Sequence, residues 1–218
     1  IVVGDVVVHR KGMRQFAEID EDDLIQRVPW QDIDPSLYLS VLGTPGKTAW
    51  ISMVEVMQLR PGMTVGISGC AGTVGVLLAQ MAIKNGCTVI GYTSTQEKAD
   101  WLETLGVKPI VTGKTTIERL DAATNGVIAL CGLMKSYTQH MGPGPNLLRT
   151  IYNNVRIQGF AIGNYPLQSS WVNFPDYMVH TYKDFKFNQH ITTGISQVPA
   201  LYTGLYNTYG KGKLIIKI

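Results

Sequence analysis

Thr64-Val65-Gly66-Ile67-Ser68 runs into Gly69-Cys70-Ala71-Gly72-Thr73-Val74-Gly75, and from there into the apolar run Val76-Leu77-Leu78. The first five residues read as a strand, the glycines as a turn and the apolar run as the start of a helix over 73–84. A strand–turn–helix needs glycine where backbone must approach a pyrophosphate closely and where helix must pack tightly on strand. Gly72 and Gly75 fill those two places. The exposed N–H groups and the positive end of the helix dipole, around Thr73 and Val74, then suit phosphate. Regular G-x-G-x-x-G spacing would put its first glycine at Cys70, so the match is partial. Glycine pairs in such a turn can also serve packing alone, and only the surroundings discriminate.

Those surroundings alternate. Strands are predicted over 88–92, 109–111, 127–130 and 155–162, with helices over 96–105, 116–123 and 146–153 between them. Short buried strands separated by helices indicate an α/β fold with a doubly wound parallel sheet of the Rossmann kind. Before the loop, a helix over 47–58 follows Thr44-Pro45-Gly46. Farther back are a short helix opened by Pro35, an acidic loop over 20–23 that reads as a solvated turn, and strands over 4–9 and 14–19. After the alternating region come a helix over 198–206 and a final strand over 213–218.

The end of the second strand of the sheet decides the cofactor. An NAD site places an acid there to hold the ribose hydroxyls. This chain reads Gly91-Tyr92-Thr93-Ser94-Thr95, with no acid before Glu97, which Lys98 follows. The hydroxyls of Thr93 and Ser94 plus the Lys98 ammonium fit a 2′-phosphate, which a carboxylate at that point would repel. NADPH is therefore the expected cofactor, with a merely solvated Lys98 as the alternative.

Composition closes off other classes. The 218 residues carry a net charge of +3 with basic residues dispersed, too mild a balance for a nucleic-acid footprint. No apolar run approaches the roughly 18 residues needed to span a bilayer. Cys70, Cys87 and Cys131 stand in apolar contexts without C-x-x-C spacing, so reduced buried thiols and a cytoplasmic location are expected. The chain starts at Ile1 without Met or leader, inside an apolar run, so a truncated product is expected.

Several stretches together resemble one family. They are Leu42-Gly43-Thr44-Pro45-Gly46-Lys47-Thr48-Ala49, Ala71-Gly72-Thr73-Val74-Gly75, Glu97-Lys98 with Trp101-Leu102 and Leu105-Gly106, Ala129-Leu130-Cys131-Gly132-Leu133-Met134-Lys135-Ser136-Tyr137, Arg156-Ile157-Gln158-Gly159-Phe160 and Gly212-Lys213. In this order the chain resembles the zinc-independent medium-chain reductases, in the leukotriene B4 dehydrogenase, prostaglandin reductase and alkenal double-bond reductase group. The resemblance implies an NADPH-binding Rossmann domain over 44–182. It implies that 1–43 and 183–218 are parts of a GroES-like, β-rich catalytic domain.

It further implies NADPH-dependent reduction of the C=C bond of an α,β-unsaturated aldehyde or ketone, without a metal, in a protein that forms a homodimer. Carried over, Gly72, Thr73, Val74 and Gly75 contact the phosphates, and Lys98 the 2′-phosphate. Cys131 and Gly132 run beside the cofactor, and Phe160, Ile162 and Tyr165 flank the nicotinamide. Tyr137 orients the nicotinamide ribose and the substrate carbonyl. Tyr152 matches a tyrosine near substrate, with a core-packing helix residue as the equal alternative. An NADPH:quinone reductase and a non-catalytic NADPH-binding relative are the competing functions.

Three departures from the family stand out. Gly113 and Gly210 replace a tyrosine and an asparagine that contact the cofactor. Ala123 runs into Thr124 where the family has its fourth, central strand. An unpaired central edge would cost about 1–3 kcal/mol for each buried N–H or C=O, so residues are expected to be missing there. The expectation is a chain break between 119 and 126.

Overall fold

The computed structural model describes residues 1–29, 32–112, 127–132, 148–165, 169–207 and 211–218. Strand β1 (Val7–His9) pairs antiparallel with β2 (Leu24–Arg27), Val7 opposite Arg27. The strand expected over 14–19 does not form. The acidic run is also more than a solvated turn. Asp20 accepts from the N–H of Asp23, Asp23 accepts from that of Asp20, and a short 3₁₀ turn results. That reciprocal cap, with Lys11 paired to Asp23 at 2.7 Å, selects the residues that follow it as the partner of β1.

Pro35 opens a 3₁₀ segment over Pro35–Leu39, as expected. Helix α1 (Thr44–Ile51) begins three residues earlier than predicted, with Pro45 in its first turn, where a missing N–H is harmless. It then widens into a π turn, Ser52–Val56. The alternating region follows the prediction closely: β3 (Thr64–Ile67), α2 (Thr73–Lys84), β4 (Thr88–Thr93), α3 (Gln96–Glu103) and β5 (Lys108–Val111). The three strands form one parallel sheet with β4 in the middle. Helix α2 is apolar on nearly every side and is correspondingly buried, with Val76, Leu77, Ala79 and Ala82 at 0% exposure.

Beyond the sheet, β6 (Val127–Leu130) and β7 (Arg156–Gly159) form a second parallel pair, with α4 (Leu148–Tyr152) between them. Among the described residues no strand joins β3 to β6. The stretch 119–126, where a break was expected, and Gly113 lie outside the described residues. Like β2, neither α5 (Ser169–Thr181), which carries Pro175 within it, nor β8 (Gln189–Thr193) was expected. After α6 (Val198–Asn207), strand β9 (Lys213–Lys217) runs parallel to β8. Phe174 and Met178 of α5 are buried in the main core with Val41, Leu77 and Leu102. No helix of the described residues is long and apolar enough to cross a membrane.

Candidate functional site

The loop between β3 and α2 is built by backbone. Gly69 takes φ +59°, the left-handed turn that glycine adopts without penalty. It stands one residue ahead of the position that regular spacing assigns to the first glycine. Cys70 is fully buried instead, and its N–H extends the sheet by donating to Tyr92 O at 3.1 Å. Burial pushes the Cys70 thiol up to about 12, so it is a packing residue and not a nucleophile. Cys87 is buried too, but Cys131 is exposed, against expectation, because it lies beyond the end of β6.

Close approach requires glycine at 75 and leaves little room at 72. A Cβ at Gly72 would lie 3.1 Å from the Gly69 carbonyl oxygen. One at Gly75 would lie 2.6 Å from that oxygen and 2.8 Å from Cys70 Cα. Helix α2 has no side-chain cap, and its first helical bond runs from Val76 N–H to Gly72 O. The N–H groups of Thr73, Val74 and Gly75 are left without an acceptor among the described residues. Three converging donors at the positive end of a twelve-residue helix fit the pyrophosphate of a dinucleotide. A groove of about 530 Å³ lined by Trp50, Met53, Met81 and Tyr177 lies at the other end of α2 and has no part in this arrangement.

One neighbour of the loop escaped the sequence reading. Gly212 forms an isolated bridge to Gly72, its N–H donates to Ala71 O at 3.2 Å, and Thr73 Oγ1 donates to its carbonyl at 2.6 Å. Only the quoted Gly212-Lys213 pair hinted at this, with no indication of where it would dock. Gly210 lies outside the described residues.

At the end of β4, Ser94 and Lys98 come together, with Lys98 Nζ 3.3 Å from Ser94 Oγ. Register brings β4 beside the loop, Ile67 opposite Gly91. Thr93 is buried at 6% exposure and its carbonyl accepts from Thr112, so of the two hydroxyls predicted there only that of Ser94 is open. Thr95 caps α3 through the N–H of Lys98, which fixes the first turn that carries Glu97 and Lys98.

The second group forms at the ends of β6 and β7, where Leu130 stands opposite Gly159 and Phe160 N–H donates to Leu130 O. Cys131, Gly132, Phe160, Ile162 and Tyr165 follow those strand ends. Phe160 and Tyr165 meet edge to face at 6.0 Å, and Gln158 donates to the Tyr165 hydroxyl at 3.4 Å. Tyr152, on α4, is 78% exposed, so it is not the core-packing residue of the alternative reading. Tyr137 lies outside the described residues. Both groups therefore occupy the carboxyl ends of parallel strands, the usual ligand position in open α/β sheets.

No protein-family model matches the chain. Among curated proteins it is similar to prostaglandin reductase 1 of Bos taurus, 27% identical over 221 residues covering 86% of this chain and 67% of that one. It is also similar to the NADP(+)-dependent 2-alkenal reductase of Nicotiana tabacum, 25% identical with 99% and 71% covered. Among solved structures its fold matches CurA of Vibrio vulnificus in complex with NADPH, with a TM-score of 0.70, 23% identity, and 84% of this chain and 65% of that one covered. The chain thus spans about two thirds of the length of these proteins. Its fold is that of the medium-chain reductases. In sequence it is similar to prostaglandin reductases and to an alkenal reductase.

Proposed function

We propose that the chain belongs to an enzyme that uses NADPH to reduce the C=C bond of α,β-unsaturated aldehydes or ketones. The observation that carries this reading is the loop Gly72–Gly75, whose N–H groups find no acceptor among the described residues, with Ser94 and Lys98 at the end of the neighbouring strand, in a chain similar to alkenal and prostaglandin reductases. Residues 44–182 would hold the cofactor, and 1–43 with 183–218 would belong to the substrate-binding part.

Bound NADPH would supply a hydride to the β-carbon. The chain's own residues hold and orient. Thr73, Val74 and Gly75 offer N–H groups to the pyrophosphate, and Lys98 offers its ammonium to the 2′-phosphate. Cys131 and Gly132 line the path of the cofactor, and the perpendicular pair Phe160 and Tyr165, with Ile162, walls the nicotinamide end. Negative charge gathers on the carbonyl oxygen as hydride arrives, and a donor fixed in place beforehand stabilises it. A phenol suits that task because it donates without bringing a charge of its own. Tyr137 is the first candidate and solvent-facing Tyr152 the second.

NADPH oxidation followed at 340 nm with an alkenal, a quinone and no acceptor tests the proposal. Turnover with the alkenal is expected, and Tyr137→Phe lowers its kcat by up to about tenfold, the worth of one net hydrogen bond. Turnover with the quinone alone would make the protein a quinone reductase. Lys98→Ala is expected to weaken NADPH by about tenfold, a charge-assisted contact of about 1.5 kcal/mol, and to leave NADH unchanged. Equal affinities of the unaltered protein for the two dinucleotides would remove the cofactor assignment.

A further inference from the structure

Glu97 is an odd neighbour for a 2′-phosphate. It stands in the first turn of α3, next to Lys98, and a free carboxylate there would repel the group that Lys98 attracts. The structure answers it with a cation from 114 positions away, Lys211, whose Nζ lies 2.6 Å from Glu97 Oε1. The Glu97 side chain is 82% exposed while that of Lys211 is only 22% exposed, so the lysine is the fixed partner. Its backbone explains why. Lys211 O lies 3.1 Å from His190 Nε2, and the next residue, Gly212, is bonded to Ala71 and Thr73 of the phosphate loop. Gly212 itself allows no side chain, since φ is +75° and a Cβ would sit 2.0 Å from Asn188 O.

We propose that Lys211 is a specificity-determining residue, which neutralises Glu97 and thereby keeps the site selective for a dinucleotide bearing a 2′-phosphate. The inference rests on the reading of Ser94 and Lys98 as the 2′-phosphate site. With Lys211 present, Glu97, Lys98 and Lys211 sum to one positive charge. Without it they sum to zero. A phosphate of about −1.5 to −2 charge feels that difference, while the bare ribose hydroxyl of NADH does not. Because the Lys211 side chain is only 22% exposed, its charge is screened less by water than in an ordinary surface ion pair. Lys211 also couples α3 to the segment closing over the loop, so phosphate recognition draws on three parts of the chain: 71–75, 94–98 and 211–212.

Titration of NADPH and NADH, by protein fluorescence at low salt, tests this in the full chain and in Lys211→Ala, Glu97→Gln, the double variant and Lys98→Ala. Lys211→Ala is expected to raise the NADPH Kd roughly three- to tenfold, as befits a charge near the surface. NADH affinity should stay as it was. Adding Glu97→Gln should restore NADPH affinity, since no carboxylate then needs neutralising, and Lys211→Arg should behave as the parent. Equal weakening of both dinucleotides in Lys211→Ala, or no rescue by Glu97→Gln, overturns the proposal and reduces Lys211 to an anchor of the terminal strand. If Lys98→Ala loses NADPH selectivity while Lys211→Ala keeps it, only this inference fails. If Lys98→Ala keeps it as well, the 2′-phosphate site itself is elsewhere.

Discussion

Gly75→Val is expected to weaken NADPH binding by at least about 100-fold, because the new side chain has nowhere to go. Even a single Cβ would stand 2.6 Å from Gly69 O, 2.8 Å from Cys70 Cα and 3.0 Å from Cys70 O. All three are backbone atoms of the turn, so no rotamer change relieves the contact. Either α2 backs away from β3 or the turn opens. In both cases the N–H groups of Thr73, Val74 and Gly75 leave the positions in which they converge. Helix α2 cannot move cheaply, since Val76, Leu77, Ala79, Met81 and Ala82 are buried to 1% exposure or less. Overpacking strain of about 1–3 kcal/mol is therefore expected in the folded protein as well. Gly66→Ala is the control. Its Cβ would meet only Tyr92 Cε2 at 3.4 Å, an ordinary contact, in the strand that feeds the same turn. Binding titrations on both variants decide the matter. A folded Gly75→Val protein whose NADPH affinity matches that of Gly66→Ala would show that this loop does not hold the phosphates.

The largest effect on stability is expected from Phe174→Ala. Phe174 is 1% exposed, lies edge-on to Trp50 with ring centroids 6.2 Å apart, and comes within 3.1 Å of the place a Gly46 Cβ would take. It joins α5 to α1, and the Val41 carbonyl, 1.9 Å from the place a Gly46 Cβ would take, keeps that position free of a side chain. Truncating a buried phenylalanine costs about 3–5 kcal/mol, out of a total of about 5–15 kcal/mol for a whole domain. For a chain of this size that lowers Tm by roughly 6–20 °C. Tyr152→Ala, at a residue 78% exposed, should stay within about 0.5 kcal/mol of the parent. Thermal unfolding followed by circular dichroism compares them. A shift for Phe174→Ala no larger than that for Tyr152→Ala would mean that α5 does not pack as described.

The sequence by itself determined the central run from β3 to β5 and most of the phosphate loop. Helix α2 occupies the predicted 73–84 and β3 and β4 lie within a residue of prediction. Their signals are local: β-branched residues in short runs, glycines at the turns and Thr95 as a cap. The residues proposed for the cofactor, Gly72, Gly75, Ser94 and Lys98, could be picked out for the same reason, since each lies within a few residues of the strand end that positions it. Tertiary structure alone decided the rest. Strand pairing chose 24–27 over 14–19 as the partner of β1, and the parallel match of β8 with β9 joins residues more than twenty positions apart. Pro175 hid α5, because proline argues against a helix interior unless packing of residues such as Phe174 and Met178 outweighs it. Gly69 replaced Cys70 as the turn glycine because the Cys70 side chain faces the core. The ion pair of Lys211 with Glu97 spans 114 positions, and no periodicity or motif encodes which surface charges a folded chain will bring together.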